Sequence, residues 1–122
     1  WERTLAMSTI IWHNPTCSKS RMALQILIDA KITPLIRLYL QNPPSETEIK
    51  DLLSLLKKPA LDIARKTEFE FKSLNPQILA NEDSLIKVLV KNPILIERPI
   101  VITKKRAIIA RPPSLLEGFL KI

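Results

Sequence analysis

Apolar residues in this chain fall into short runs divided by prolines, and their spacing predicts an alternation of strands and helices. Residues 9–12, Thr-Ile-Ile-Trp, form a β-branched and aromatic run of strand type. From 18 to 30 the apolar positions Met22, Leu24, Ile26, Leu27 and Ile28 follow a helical pattern, with Ser18 or Thr16 as the expected cap. A second strand is predicted over 34–40. Ser45 with Glu48 three residues on then predicts a capping box, opening a helix that runs to about Lys57. In the middle of the chain a short helix is expected around 61–66, and another over 84–91 with Leu85, Ile86, Val88, Leu89 and Val90 turned inward. The runs at 100–103 and 107–110, separated by Lys104-Lys105-Arg106, predict a hairpin. Arg111-Pro112-Pro113 ends the second of them and starts a last helix over 114–120, since proline is tolerated in a first helical turn.

The order is β-α-β, a helical stretch, then β-β-α. A strand, a crossover helix and a strand imply parallel pairing with a right-handed crossover, and the hairpin adds antiparallel strands. The expectation is an α/β fold, a mixed four-stranded sheet flanked by helices, with a helical insertion at about 45–92. At 122 residues the chain is short for two independent cores, so one domain is expected over 1–122. The first strand pattern begins only at Thr9, which makes Met7 a plausible start and residues 1–6 an extension or a tag remnant.

Composition narrows the partners. Hydrophobic residues make up 46% and charged residues 25%, enough for an ordinary core. Nineteen Lys and Arg against twelve Asp and Glu give a formal charge of +7, which favours anionic partners. Only six aromatics are present and none interleaves with basic residues as in base-stacking surfaces, so nucleic acid is not expected. No apolar run approaches the roughly eighteen residues of a membrane span, and a soluble, cytoplasmic protein is expected. One cysteine, Cys17, excludes an internal disulfide, and with one histidine, His13, no metal site is expected.

Cys17 lies in His13-Asn14-Pro15-Thr16-Cys17-Ser18-Lys19-Ser20-Arg21, between a polar loop and the first turn of a predicted helix. Unpaired amides and the positive end of the helix dipole favour a thiolate there, and Lys19 and Arg21 add positive charge. The same amides make an anion site, so one place could both generate a nucleophile and hold a tetrahedral oxyanion against it. A lone cysteine is also commonly a buried, inert residue, but the neighbours here are polar. A cysteine-phosphatase loop is excluded, because Cys-x5-Arg would need an arginine where Ala23 stands. In the Cys-x-x-Ser step, Ser20 occupies the place of a resolving thiol, so an adduct on Cys17 must be resolved by an external thiol such as glutathione. His13 can orient the loop or influence the thiolate, or simply pack at a strand end.

Three arginines stand at structural punctuation: Arg98 before Pro99, Arg111 before Pro112, and Arg65 in the helical stretch. From Arg98 to Leu116 there are five basic residues and no acidic one. With His13 to Arg21, the stretches Leu-Tyr-Leu-Gln-Asn-Pro-Pro-Ser at 38–45, Asn-Pro-Ile-Leu-Ile-Glu-Arg-Pro-Ile-Val at 92–101 and Arg-Pro-Pro at 111–113 make the chain resemble the arsenate reductase family of the thioredoxin-like fold, in its glutaredoxin-coupled branch. The resemblance runs from about Thr9 to Leu120. It implies a nucleophile at Cys17, an oxyanion-binding triad of Arg65, Arg98 and Arg111, and a cis peptide before Pro99; supporting roles are expected for His13, Asn14, Ser18, Ser20 and Pro99. It further implies that the thiolate attacks arsenate, that glutathione is co-substrate, and that glutaredoxin reduces the adduct to release arsenite. No tightly bound cofactor is needed for that chemistry, and a monomer is expected.

Two other readings compete. A non-catalytic regulator of the same fold that binds RNA polymerase would ordinarily carry a Cys-x-x-Cys switch, which Ser20 removes. A glutathione-dependent thiol oxidoreductase acting on another substrate would use the same cysteine.

Overall fold

The computed structural model describes residues 9–120, so the expected extension at 1–6 lies outside the described residues. The strands are β1 (Ile10–Trp12), β2 (Leu35–Arg37), β3 (Ile100–Ile102) and β4 (Ala107–Ile109). The helices are α1 (Ser18–Asp29), α2 (Glu46–Leu56), α3 (Phe69–Lys72), α4 (Pro76–Leu79), α5 (Glu82–Lys91) and α6 (Leu115–Leu120), with 3-10 turns at Ala60–Ile63 and Pro93–Leu95. Together they form two compact units, residues 9–39 with 98–120, and residues 40–97.

The first unit holds the sheet, in the order β2-β1-β3-β4. β1 runs parallel to β2 and antiparallel to β3, which pairs antiparallel with β4. This is the mixed four-stranded α/β arrangement expected. One face is covered by α1 and α6: Ile11 and Val101 of the sheet meet Ala23 and Leu27 of α1 and Leu116 and Phe119 of α6, with Ala110 beside them. These side chains leave water, and burial of each large one favours folding by about 1.5–3 kcal/mol. The β3–β4 turn closes through Thr103, whose amide donates to the Arg106 carbonyl at 2.7 Å. Arg106 then stacks 4.2 Å from the Phe119 ring centroid and donates to the Phe119 carbonyl at 2.8 Å, anchoring the last turn of α6.

β2 is shorter than the predicted 34–40. Its partner β1 ends at Trp12 and turns into a loop, so residues 38–40 have no ladder to join, and Tyr39 and Leu40 enter a turn. The cap of α1 also differs from expectation, since Cys17 itself, with extended φ and ψ of −95° and 122°, occupies the position assigned to Ser18 or Thr16. The Cys17 carbonyl accepts the first helical bond, from the Arg21 amide at 3.0 Å.

The second unit takes in the stretch read above as a helical insertion and starts and ends five residues outside it. Ile49, Leu52 and Leu53 of α2 and Leu85, Ile86 and Leu89 of α5 are buried, as are Ile63, Leu95 and Ile96. The helix expected around 61–66 is a 3-10 turn at Ala60–Ile63. It stops there because the following backbone is drawn into an antiparallel bridge, Ala64 with Ile96, flanked by amide bonds from Arg65 to the Leu95 carbonyl and from Glu97 to the Ile63 carbonyl, both 2.7 Å. Arg65 therefore lies between that bridge and a turn, outside any helix. The short helices α3 and α4 are additions. α4 opens on Asn75, whose side chain accepts from the Gln77 amide, with Pro76 in its first turn.

The capping box is present. Ser45 Oγ accepts from the Glu48 amide at 3.1 Å, and the Glu48 carboxylate accepts from the Ser45 amide at 2.9 Å. Ser45→Ala is expected to destabilise the protein by about 1 kcal/mol, because it leaves a helix amide without its acceptor. A lowered urea midpoint with an unchanged slope would register it, and an unchanged midpoint would show the cap to be idle.

Candidate active site

The site is built from the segment that leaves β1 and enters α1. β1 is central, pinned by β2 on one side and β3 on the other, and its end is fixed by the His13 amide donating to the Arg37 carbonyl at 2.8 Å. The loop then closes on itself. Asn14 Oδ1 accepts from both the amide and the hydroxyl of Thr16, at 3.1 and 2.8 Å, and the Asn14 carbonyl accepts from the Cys17 amide at 3.0 Å. Asn14 is thus a turn-former, the role asparagine fills when its side chain mimics the backbone. Arg21 adds a clamp by donating to the Pro15 carbonyl at 2.8 Å.

Ser20, fully buried on the first turn of α1, ties this loop to the helix. Its Oγ accepts from the Asn14 amide at 3.0 Å and lies 2.6 Å from Nδ1 of His13, itself buried. The hydroxyl oxygen receives the Asn14 proton, which leaves its own proton free to point at Nδ1. Burial, and secondarily the positive charge of Arg21, push the His13 pKa below its usual value of 6.5, favouring the neutral imidazole. His13 is a buried positioning group here, and it holds Ser20 instead of the sulfur.

Cys17 is half-buried and its thiol is free. Burial alone would raise its pKa. The opposing effects win: the Ser20 amide, the positive charge of Arg98, the Lys19 amide and a hydrogen bond from the Arg98 side chain all favour the thiolate, and the thiol is held below its ordinary value of 9.0. The side-chain charge on the sulfur is therefore that of Arg98, at the entrance to β3, and not those of Lys19 or Arg21 as the sequence suggested. Lys19 is exposed and acts through its backbone, while Arg21 is turned to the Pro15 carbonyl and bears on His13.

The remaining sequence candidates fall in two groups. Arg111 belongs with Arg98: its Nη1 donates to the Arg98 carbonyl at 3.1 Å. The Arg98–Pro99 peptide is cis, as the resemblance implied, and so is Arg111–Pro112. The Pro99 carbonyl accepts from the Ala110 amide at 2.9 Å, which ties these two proline turns together. Ser18 is exposed at the first position of α1. Arg65 lies in the second unit, where its guanidinium pairs with Glu68 at 3.2 Å and donates to the Ile94 carbonyl at 3.2 Å. Among the described residues, no three His, Cys, Asp or Glu side chains are placed to hold a metal ion, and no helix is long and apolar enough to cross a membrane.

Comparison with known proteins places this geometry in a family. The family model that matches, described as the ArsC family, covers residues 12–119. An arsenate reductase of Haemophilus influenzae is 45% identical over 113 residues, 88% of this chain and 95% of that protein. An uncharacterised Escherichia coli protein, YfgD, is 41% identical over 106 residues, 85% of this chain and 89% of that one. Among solved structures, an arsenate reductase from Vibrio cholerae superposes with a TM-score of 0.82 at 35% identity, covering 92% of this chain and 97% of that one. The chain belongs to the ArsC family.

Proposed function

We propose that this protein reduces arsenate to arsenite, with Cys17 as the nucleophile and with glutathione and glutaredoxin supplying the electrons. The observation that carries the reading is the convergence on one half-buried sulfur of two helix amides and the Arg98 guanidinium. These donors favour the charged, nucleophilic form of the sulfur, and they are of the kind that hold a tetrahedral oxyanion. Relatives named arsenate reductase supply the substrate class.

In this scheme the Cys17 thiolate attacks As(V), an As–O bond breaks, and the oxygen leaves as water once protonated. The glutathione thiol forms a second S–As bond and displaces another oxygen as water. A glutaredoxin thiolate then takes the glutathionyl sulfur as a mixed disulfide, and the electron pair of the broken S–As bond stays on arsenic, which becomes As(III). Water releases arsenite from Cys17 and restores the thiol. The sum is one arsenate and two external thiols giving arsenite, one disulfide and one water. Ser20 lies where a resolving cysteine would stand, so the external thiols are required. Arg98 offers its planar fork to the oxyanion, and Arg111, oriented by its bond to the Arg98 carbonyl, has further N–H groups for the same task. Arg65 is the third arginine of the reading, and its part is decided by substitution.

The pH dependence of Cys17 alkylation by iodoacetamide tests the thiolate. Its midpoint is expected below the ordinary 9.0, and Arg98→Ala, by removing a cation that favours the charged form, is expected to move it upward and to slow alkylation at pH 7. A midpoint that stays in place in the variant would remove Arg98 from this role.

Arsenate-dependent NADPH oxidation, coupled through glutathione, glutaredoxin and glutathione reductase, tests the activity. Cys17→Ser is expected to abolish it. Arg98→Ala and Arg111→Ala are each expected to lower kcat/KM by about tenfold or more, as loss of a charge-assisted hydrogen bond costs about 1.5–3 kcal/mol. A smaller fall is expected for Arg65→Ala, whose guanidinium is already paired with Glu68. Arsenite formation by Cys17→Ser at the wild-type rate would overturn the reading.

A further inference from the structure

β2 lies at an end of the sheet, and no described strand lies beyond it. Its register with β1 pairs Leu35 with Ile10 and Arg37 with Trp12, and the Leu35 amide donates to the Thr9 carbonyl at 2.9 Å while the Arg37 carbonyl accepts from the His13 amide at 2.8 Å. Peptide groups alternate direction along a strand, so Leu35 and Arg37 face β1 and Ile36 turns its N–H and its C=O outward. The side chains around that open peptide pair are apolar and wet: Leu35 is 61% exposed, and Ile36 and Ile28 are each 51% exposed. Ile36, Ile28, Leu24, Ile32 and Pro34, with Lys31 on the rim, line a groove of about 380 Å³ between the end of α1 and the start of β2. Exposed apolar edges invite pairing with another chain and are usually blunted by charge or covered.

We propose that this edge is a docking site for an extended, acidic segment of another protein, which adds a strand beside β2, exchanges hydrogen bonds with Ile36 and seats an apolar side chain in the groove. The charge of the unit selects the occupant. Among its described residues, 9–39 and 98–120, there are nine Lys and Arg against two Asp and Glu, whereas residues 40–97 carry eight against nine. Lys31 borders the groove and Arg37 ends the strand. Of the two acids, Asp29 accepts from Gln25 on its own helix at 2.8 Å, and Glu117 lies on α6. A second copy would set two units of the same positive sign against each other, which opposes association. An alternating acidic and apolar strand meets both the charge and the groove.

The test uses the whole ¹⁵N-labelled protein and a capped hexapeptide alternating glutamate and valine, with a lysine and valine hexapeptide as its counterpart. The acidic peptide is expected to bind saturably, to shift the resonances of residues 34–37, and to slow exchange of the Ile36 amide by about tenfold or more at saturation. Its affinity should fall by about tenfold between low salt and 300 mM salt, and the lysine peptide should bind at least about tenfold more weakly. Ile36→Pro removes an amide that no ladder bond uses, so it should abolish binding and leave the Cys17 alkylation midpoint unchanged. Should that variant fold poorly, Ile28→Glu, which places a carboxylate in the groove from an exposed helix position, should weaken the acidic peptide in the same way. Equal binding of the two peptides, an Ile36 amide whose exchange neither peptide alters, or a dimer in sedimentation whose formation protects that amide would each overturn the proposal.

Discussion

A sulfur at the head of a helix, with donors arranged to favour its charged form, is the constraint from which the rest of the site follows. The sulfur must be close enough to the first-turn amides to receive their hydrogen bonds, so Cys17 itself has to cap the helix, and it does. That start is held by two anchors on one residue. Ser20 gives its amide to the sulfur and its buried hydroxyl to the loop, where Asn14 donates to it and His13 lies against it. Because His13 and Asn14 directly follow β1, the sheet is what finally fixes the sulfur. β1 can serve this purpose because it is an inner strand, with ladder bonds on both edges. In thiol chemistry a small misplacement of the nucleophile is costly, and this chain of contacts leaves little freedom for one.

Within that frame, burial and charge oppose each other. Partial burial of Cys17 acts against the thiolate, and the amides and Arg98 more than offset it. A fully exposed thiolate would need less help but would be screened by water and salt, and its donors would be weaker. A fully buried one would need a paired cation. The half-buried position keeps the sulfur reachable while its donors still act through a medium less polar than water. Arg98 is suited to this because its backbone is set by the proline turn before β3, whereas Lys19 sits on an exposed flexible stem and has no fixed distance to the sulfur.

How much of this could be read in the residues depends on how local the cause is. The capping box at Ser45 and the hairpin around Lys104-Lys105-Arg106 are set by neighbours within a few positions, the parallel pairing of β1 with β2 follows from the one crossover helix between them, and the sequence pattern announced all three. The end of β2 depends on where its partner strand stops, and the 3-10 turn at Ala60–Ile63 ends because Ala64 pairs with Ile96, thirty-two residues on. Neither signal is present in a local window. In the same way, Cys17 stood out from its polar neighbours and its place before a helix. The identity of its cation did not, because Lys19 and Arg21 are close in sequence while Arg98 is brought in by the sheet. The part played by Ser20 was half visible. It could be read as the missing resolving thiol, but its buried hydroxyl between Asn14 and His13 is a tertiary fact, and its helical spacing with Ala23 and Leu27, which puts it on their inward face, was the available clue.

The uneven distribution of charge bears on selectivity in the proposed reaction. Nine cations against two anions among the described residues of the unit that holds Cys17 draw anions of every kind, glutathione, phosphate and sulfate included, and such a field raises encounter rates without telling one oxyanion from another. Arginine forks and helix amides add shape, yet phosphate and arsenate are both tetrahedral and present the same kind of oxygens to them. Binding alone therefore discriminates weakly between the two. What separates them is the step after binding, since thiols reduce As(V) to As(III) under mild conditions and do not reduce phosphate. A site of this design is expected to hold phosphate as an unreactive competitor, and its selectivity then lies in the nucleophile and its external thiols, with the arginines serving to hold the anion against the sulfur.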